Sequence, residues 1–148
     1  MNRRELLLGS LAMVGAAAVG NAQAAEHKHD MSEHRHDAPA NNAAVAAAAA
    51  DCLQTGEVCL NHCLDLWAQG EKDMAACAKS VNQLIAMCGA LQQFANQNSK
   101  HLAKLATLAM AVCKECEQEC RKFEKHEACK ACADGCAACY KECKKIAA

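Results

Sequence analysis

Apolar residues recur every three or four positions from about Asn42 to Ile146, and polar residues fill the faces between them. That period belongs to a helix with one buried stripe, and no stretch alternates like a strand. Breaks in the pattern divide it into four segments. The first runs from about Asn42 to Gln69 and stops at Gly70. A second covers about Glu71 to Asn96. The polar turn Asn96-Gln97-Asn98-Ser99 precedes a third, about Lys100 to Glu124, with Ser99 as its expected N-cap. A joint near Lys125-His126 leads to the fourth, about Glu127 to Ile146. Joints this short make neighbours antiparallel, so the expected fold is all-α, an antiparallel up-down-up-down four-helix bundle.

The residues on the buried stripe are unusual. The fourth segment carries Cys129, Cys132, Cys136, Cys139 and Cys143, spaced 3, 4, 3 and 4. In the third lie Cys113, Cys116 and Cys120, spaced 3 and 4; the first has Cys52, Cys59 and Cys63, spaced 7 and 4. Cys77 and Cys88 of the second segment are joined in register by Val81 and Leu84. These are the a and d positions of a bundle, where Leu normally sits. All thirteen Cys are therefore expected to line the bundle axis, with Gly56 leaving extra room in the same register. Counting from the end where the first two helices meet places Cys129 outermost. Cys63, Cys77, Cys120 and Cys132 follow, then Cys59, Cys116 and Cys136, then Cys113 and Cys139. Cys52, Cys88 and Cys143 are deepest. Leu91, Leu102 and Ile146 plug the far end. Met74, in register with Cys77, and His62, beside Cys63, mark the near end as an entrance.

Composition narrows the class further. Leu, Ile, Val and Phe make up about 16% of the 148 residues, below the level at which a conventional core is easily built, whereas Ala supplies 34 residues and Cys 13. A β-sandwich, a Rossmann enzyme or a transmembrane bundle is disfavoured. One Pro and few β-branched residues suit helices. A net charge of −1 gives no electrostatic footprint for nucleic acid, and the Lys and Glu on the outer faces read as a solvated exterior. Met87 and Met110 fall beside the register as packing residues, while His101 and His126 carry no expected role.

The first 24 residues read as an export signal. Arg3-Arg4 precedes a leucine-rich, mildly apolar run, and Ala22-Gln23-Ala24 offers a small-x-small cleavage site, the pattern of twin-arginine export to a periplasm. The run is too short and too weakly apolar for a stable membrane span. Residues 25–42 form a polar, His-rich arm with two His-x-His pairs, and 43–148 the bundle. Cleavage after Ala24 would make His27 the third residue, where the free amine, two amides and the imidazole can form a square-planar Cu(II) site. A different mature N-terminus by mass spectrometry would remove that site.

Thirteen inward thiols are poorly explained as small hydrophobes, since Ala, Leu or Val would pack without the liability to oxidation. Disulfides fit badly too. The count is odd, and neighbours three or four apart on one helix do not reach S–S geometry without distortion. Soft thiolates select Cu(I), Zn(II) or Fe–S clusters. Zinc and Fe–S sites gather four ligands, often from turns, whereas these units repeat unbroken along helices. A four-thiolate zinc site keeps two negative charges, while one Cu(I) per bridging thiolate leaves a dry interior neutral. The expected cargo is thus Cu(I), about one ion per Cys and on the order of a dozen in all.

The thiol register, four helices and arginine-pair signal resemble the bacterial copper storage proteins, a Cys-rich four-helix-bundle family first known from methane-oxidising bacteria. The run from Cys129 to Cys143 is the most specific part, and the likeness covers about residues 43–146. The resemblance implies a non-enzymatic Cu(I) store in which all thirteen Cys are ligands, with an entrance served by His62 and Met74. It also implies assembly into homotetramers and, for exported members, copper held for a client enzyme. Leu66 and Gln69 make this entrance poorer in Met than in some members. Other readings stay open: a zinc or mixed-metal thiolate buffer, a delivery chaperone, or a thiol redox protein with Cys129, next to Lys130, as its reactive residue.

Overall fold

A computed structural model describes residues 40–147; the arginine-pair signal, its cleavage site and the His-x-His pairs lie outside them. Four helices make up the described chain: α1 (Ala40–Ala68), α2 (Met74–Asn96), α3 (Leu102–Arg121) and α4 (Glu127–Ile146). Among the described residues there is no strand. Helix α1 packs on α2 and α4, and α3 packs on the same two, so the bundle is square and diagonal helices meet only through their inward side chains. An antiparallel four-helix bundle is what the 3–4 spacing with short joints predicts.

The joints explain why three helix boundaries differ from the sequence pattern. Helix α1 ends in a Schellman motif: Glu71 N–H donates to the Leu66 carbonyl at 3.0 Å and Gly70 N–H to Trp67 at 3.0 Å. Gly70 has φ +101°, a conformation that costs glycine little. Residues 71–73 are consumed by this turn, and α2 starts at Met74 instead of Glu71. The same motif closes α2, with Asn98 at φ 49° and Ser99 N–H donating to the Phe94 carbonyl at 3.0 Å. Ser99 is therefore engaged in ending α2. Its hydroxyl accepts from His101 N–H at 3.2 Å, ahead of α3, and the α3 N-cap is His101. Beyond Arg121 the bonds tighten to three-residue turns, Phe123 N–H to Cys120 and His126 N–H to Phe123, both 2.9 Å, so α3 stops before Glu124.

The two ends of the bundle are not level. Cys59, deep in α1, touches Cys129 in the first turn of α4, and a Cβ on Gly135 would meet Thr55 and Cys52. His62 likewise meets His126, the residue before α4. Each pairing sets α1 about seven or eight residues out of step with a bundle of flush ends. At 1.5 Å per residue, α1 overhangs the start of α4 by roughly two turns. The α3–α4 joint is recessed against the flank of α1.

Apolar side chains close the opposite end. Val45, Ala49, Leu91, Ala95, Leu102 and Ala106 are buried there, and Ile146 packs partly against them, as the pattern expected. Gly56 does not leave free space, contrary to expectation. A Cβ there would lie 3.2 Å from Ile85, 3.6 Å from Leu84 and 3.7 Å from Val81, so α2 already fills the gap with branched side chains. Gly135 is the tighter position: its Cβ would sit 2.8 Å from Thr55 Oγ1 and 3.5 Å from Cys52 Cα. The Thr55 hydroxyl is itself held by the Asp51 carbonyl at 2.9 Å. On the outside, Arg121 joins α3 to α4 through Asp134 at 2.7 Å and is flanked by Glu117 and Glu124. Helices α1 and α2 are long and apolar enough to cross a bilayer by length and composition, but here both bury their Cys stripes against partner helices.

These contacts separate two glycines in helix interiors. Gly89 has nothing within 4 Å of a would-be Cβ. Gly89→Ala should raise the stability of the apo-protein by roughly 0.5–1 kcal/mol in urea unfolding, through helix propensity. Gly135→Leu should lower it by about 1–3 kcal/mol by prising α4 from α1. Equal, small effects at both positions would contradict the close α1–α4 approach.

Candidate metal centre

Every Cys points inward because the Cys positions repeat at three and four residues on helices that run antiparallel. All thirteen are completely buried, and all are free thiols. The sulfurs gather into groups whose members lie within 4.8 Å of one another. At the closed end, Cys52, Cys88, Cys113 and Cys139 meet, one from each helix. Towards the open end, Cys59, Cys63, Cys77 and Cys129 form a second quartet. Cys59 also joins Cys120 and Cys132, and Cys132 joins Cys116 and Cys136. Shared members link these open-end and middle groups into one chain of thiols. Cys143 is buried beyond the closed-end quartet and belongs to none of the groups.

The register of α2 is as the sequence pattern expects, and one layer assignment is not. Val81 and Leu84, both fully buried, give α2 an aliphatic wall between Cys77 and Cys88. The middle of the thiol chain therefore lies on α3 and α4. Cys59 also belongs to the open-end quartet with Cys129, not two layers below it, because the overhang of α1 brings it level.

The thiols hydrogen-bond to one another. Cys77 and Cys120 are 3.6 Å apart, Cys59 and Cys129 3.8 Å, Cys116 and Cys120 3.9 Å, and Cys59 and Cys63 4.0 Å. In such a pair the donor holds its proton more firmly, and the acceptor is stabilised as thiolate. Thiol contacts push Cys52, Cys59, Cys63, Cys88, Cys120 and Cys136 above the usual thiol range, and burial adds to this. Cys143 is raised by Cys139 and by burial. Cys77, Cys129, Cys132 and Cys139 are lowered because neighbouring thiols donate to them. Burial and these contacts thus oppose ionisation at seven of the thirteen thiols.

The open end carries other soft and neutral donors. Met74, the first residue of α2, is 2% exposed and lines a cleft of about 140 Å³ with Leu66, Phe123, Lys125 and His126. His62 is half-buried, and its Nε2 has no hydrogen-bond partner. Its ring centroid lies 4.8 Å from that of His126. Sequence reasoning gave His126 no role. It reaches His62 only because the α3–α4 joint is recessed, which residue counting from level ends does not reveal.

A family model for the copper storage proteins matches residues 38–148. The chain belongs to the copper storage protein family. Among solved structures it is similar to a Cu(I)-bound copper storage protein, BsCsp3, at 25% identity and a TM-score of 0.67, covering 73% of this chain and 99% of that one. The fold also matches apo copper storage protein 3 from Bacillus subtilis, at 24% identity and a TM-score of 0.64, over 72% of this chain and 99% of that one. An uncharacterised cysteine-rich protein of Bacillus subtilis, YhjQ, is 26% identical over 105 residues, which is 71% of this chain and 94% of that protein.

Protonated thiols must lose their protons to become soft ligands, so loading releases acid and lower pH opposes it. Adding Ag(I), a soft monovalent ion, to weakly buffered apo-protein near neutral pH should release protons in step with binding. The apparent affinity should fall as pH is lowered. Binding without proton release, measured by pH-stat, would mean the core thiols are already ionised.

Proposed function

We propose that this protein stores Cu(I), about one ion per Cys and on the order of a dozen per chain, in the thiol-lined interior of its bundle. The observation that carries the reading is the run of buried sulfur groups whose members lie within 4.8 Å of one another. A thiolate at such spacing can bridge two ions, and bridging keeps a dry interior neutral. Each thiol quartet also has room for a tetrahedral zinc, whose four sulfurs would sit about 3.8 Å apart. Charge decides against it, since among the described residues no cationic side chain lies inside the core to offset two negative charges. Membership of the copper storage family and the likeness to a Cu(I)-bound relative favour copper as well.

The ligands in this reading are all thirteen Cys, with Met74 and His62 serving ions at the open end and His126 beside them. The role is binding and not catalysis. Residues 1–24, with Arg3-Arg4 and Ala22-Gln23-Ala24, direct twin-arginine export to the periplasm, the His-rich arm runs from residue 25 to the start of α1, and the bundle is the store. The exported store then holds copper for a copper-requiring client enzyme. Assembly into a homotetramer is supported by an exposed apolar patch at the end of α1, where Leu64 is 46% and Trp67 55% exposed. Leu64 and Trp67 there meet Ala75 and Ala78 of α2 in a shallow groove.

Anaerobic titration of the apo-protein with Cu(I) against a competing chelator should saturate near a dozen ions. Far-UV circular dichroism should hardly change, because the bundle is built before loading. Saturation at three or four metals, or a coil-to-helix transition, would contradict the reading. Sedimentation should give four times the chain mass, and Trp67→Glu should shift it to monomer. A monomeric parent protein would contradict the tetramer.

A further inference from the structure

Copper in an aerobic solution outside the cytoplasm is Cu(II), whereas the sulfur interior holds Cu(I). Something must supply the electrons. One pair of thiols is placed differently from the rest. Cys77 and Cys120 are 3.6 Å apart, the shortest of the four thiol–thiol hydrogen bonds, and they belong to different helices. Cys77 is in the first turn of α2, and Cys120 is the next-to-last residue of α3. Both therefore sit beside the open end, where Met74 and Phe123, three residues from each, line the cleft.

From this geometry we propose that the Cys77–Cys120 pair reduces incoming Cu(II) at the mouth of the bundle. Two aqueous Cu(II) ions each accept one electron. The two thiols give up two electrons, release two protons to solvent and form one S–S bond. The two Cu(I) ions pass to the remaining thiols. The proposal rests on the storage reading, which supplies the destination of those ions.

The other close contacts suit this step less well. Cys59–Cys63 and Cys116–Cys120 are each four apart on one helix, at 4.0 and 3.9 Å, and their side chains run parallel along the axis. Closing either to the disulfide distance of about 2.05 Å distorts its helix. Cys59–Cys129, at 3.8 Å, also crosses between helices at the open end, but Cys59 is shared among two sulfur groups.

The test is to add two equivalents of aqueous Cu(II) to fully reduced, full-length protein without oxygen or added reductant. The Cu(II) signal in electron paramagnetic resonance should disappear, two of the thirteen thiols should be lost, and peptide mapping should find the bond between Cys77 and Cys120. Cys77→Ser and Cys120→Ser should each slow the reduction by at least about tenfold. Both variants should still take up copper supplied directly as Cu(I), with a loss of about one ion. A persistent Cu(II) signal with all thiols intact would overturn the proposal. So would a disulfide elsewhere or between chains, or variants that reduce copper at the parental rate. Failure of the parent protein to take up directly supplied Cu(I) would instead contradict storage, so the two ideas fail separately.

Discussion

Sulfur–sulfur contact inside a narrow bundle sets the terms for everything else in this protein. Thiols spaced three and four apart on antiparallel helices meet at 3.6–4.0 Å, and among the described residues the largest side chains buried with them are Leu and Met. Thiols are small, so the helices must come close to bury them. The glycine at position 135 is the clearest sign: α4 lies so near α1 that a single added carbon would collide with Thr55. A leucine core would hold the helices farther apart and leave no place where several sulfurs reach one ion.

This packing divides labour along the axis. The closed end is an ordinary apolar plug of Val45, Leu91 and Leu102 over a thiol quartet drawn from all four helices. The open end pairs a second quartet with Met74, His62 and His126. Between them α2 contributes Val81 and Leu84, so the bundle keeps some branched-chain packing that does not depend on metal. Stability of the empty state and capacity for metal thus come from different residues, which lets one fold exist in both conditions.

Much of this was legible in the chain. The stripe from Cys129 to Cys143 fixes the helix, its buried face and the softness of its chemistry from spacing alone. Gly70 and Asn98 likewise announce the two turns they make. Other features could not be read, for identifiable reasons. The overhang of α1 depends on how joints seat, and periodicity says nothing about axial offset. Its consequences were missed with it: the level of Cys59, the meeting of His126 with His62, and the closeness at Gly135. Gly56 misled because an absent side chain looks like space until the neighbour that fills it, Leu84 beside Val81 and Ile85, is placed. Ser99 looked like a cap for α3 because its type and position suit one, but ending α2 claimed it first.

The central claim is that neighbouring thiols act jointly, as bridges, and not as thirteen separate side chains. X-ray absorption at the copper edge of the fully loaded protein tests it most directly. The account predicts a first shell made almost wholly of sulfur, with strong copper–copper scattering from ions that share it. A shell dominated by nitrogen or oxygen, or sulfur-bound ions with no copper neighbours, would contradict it.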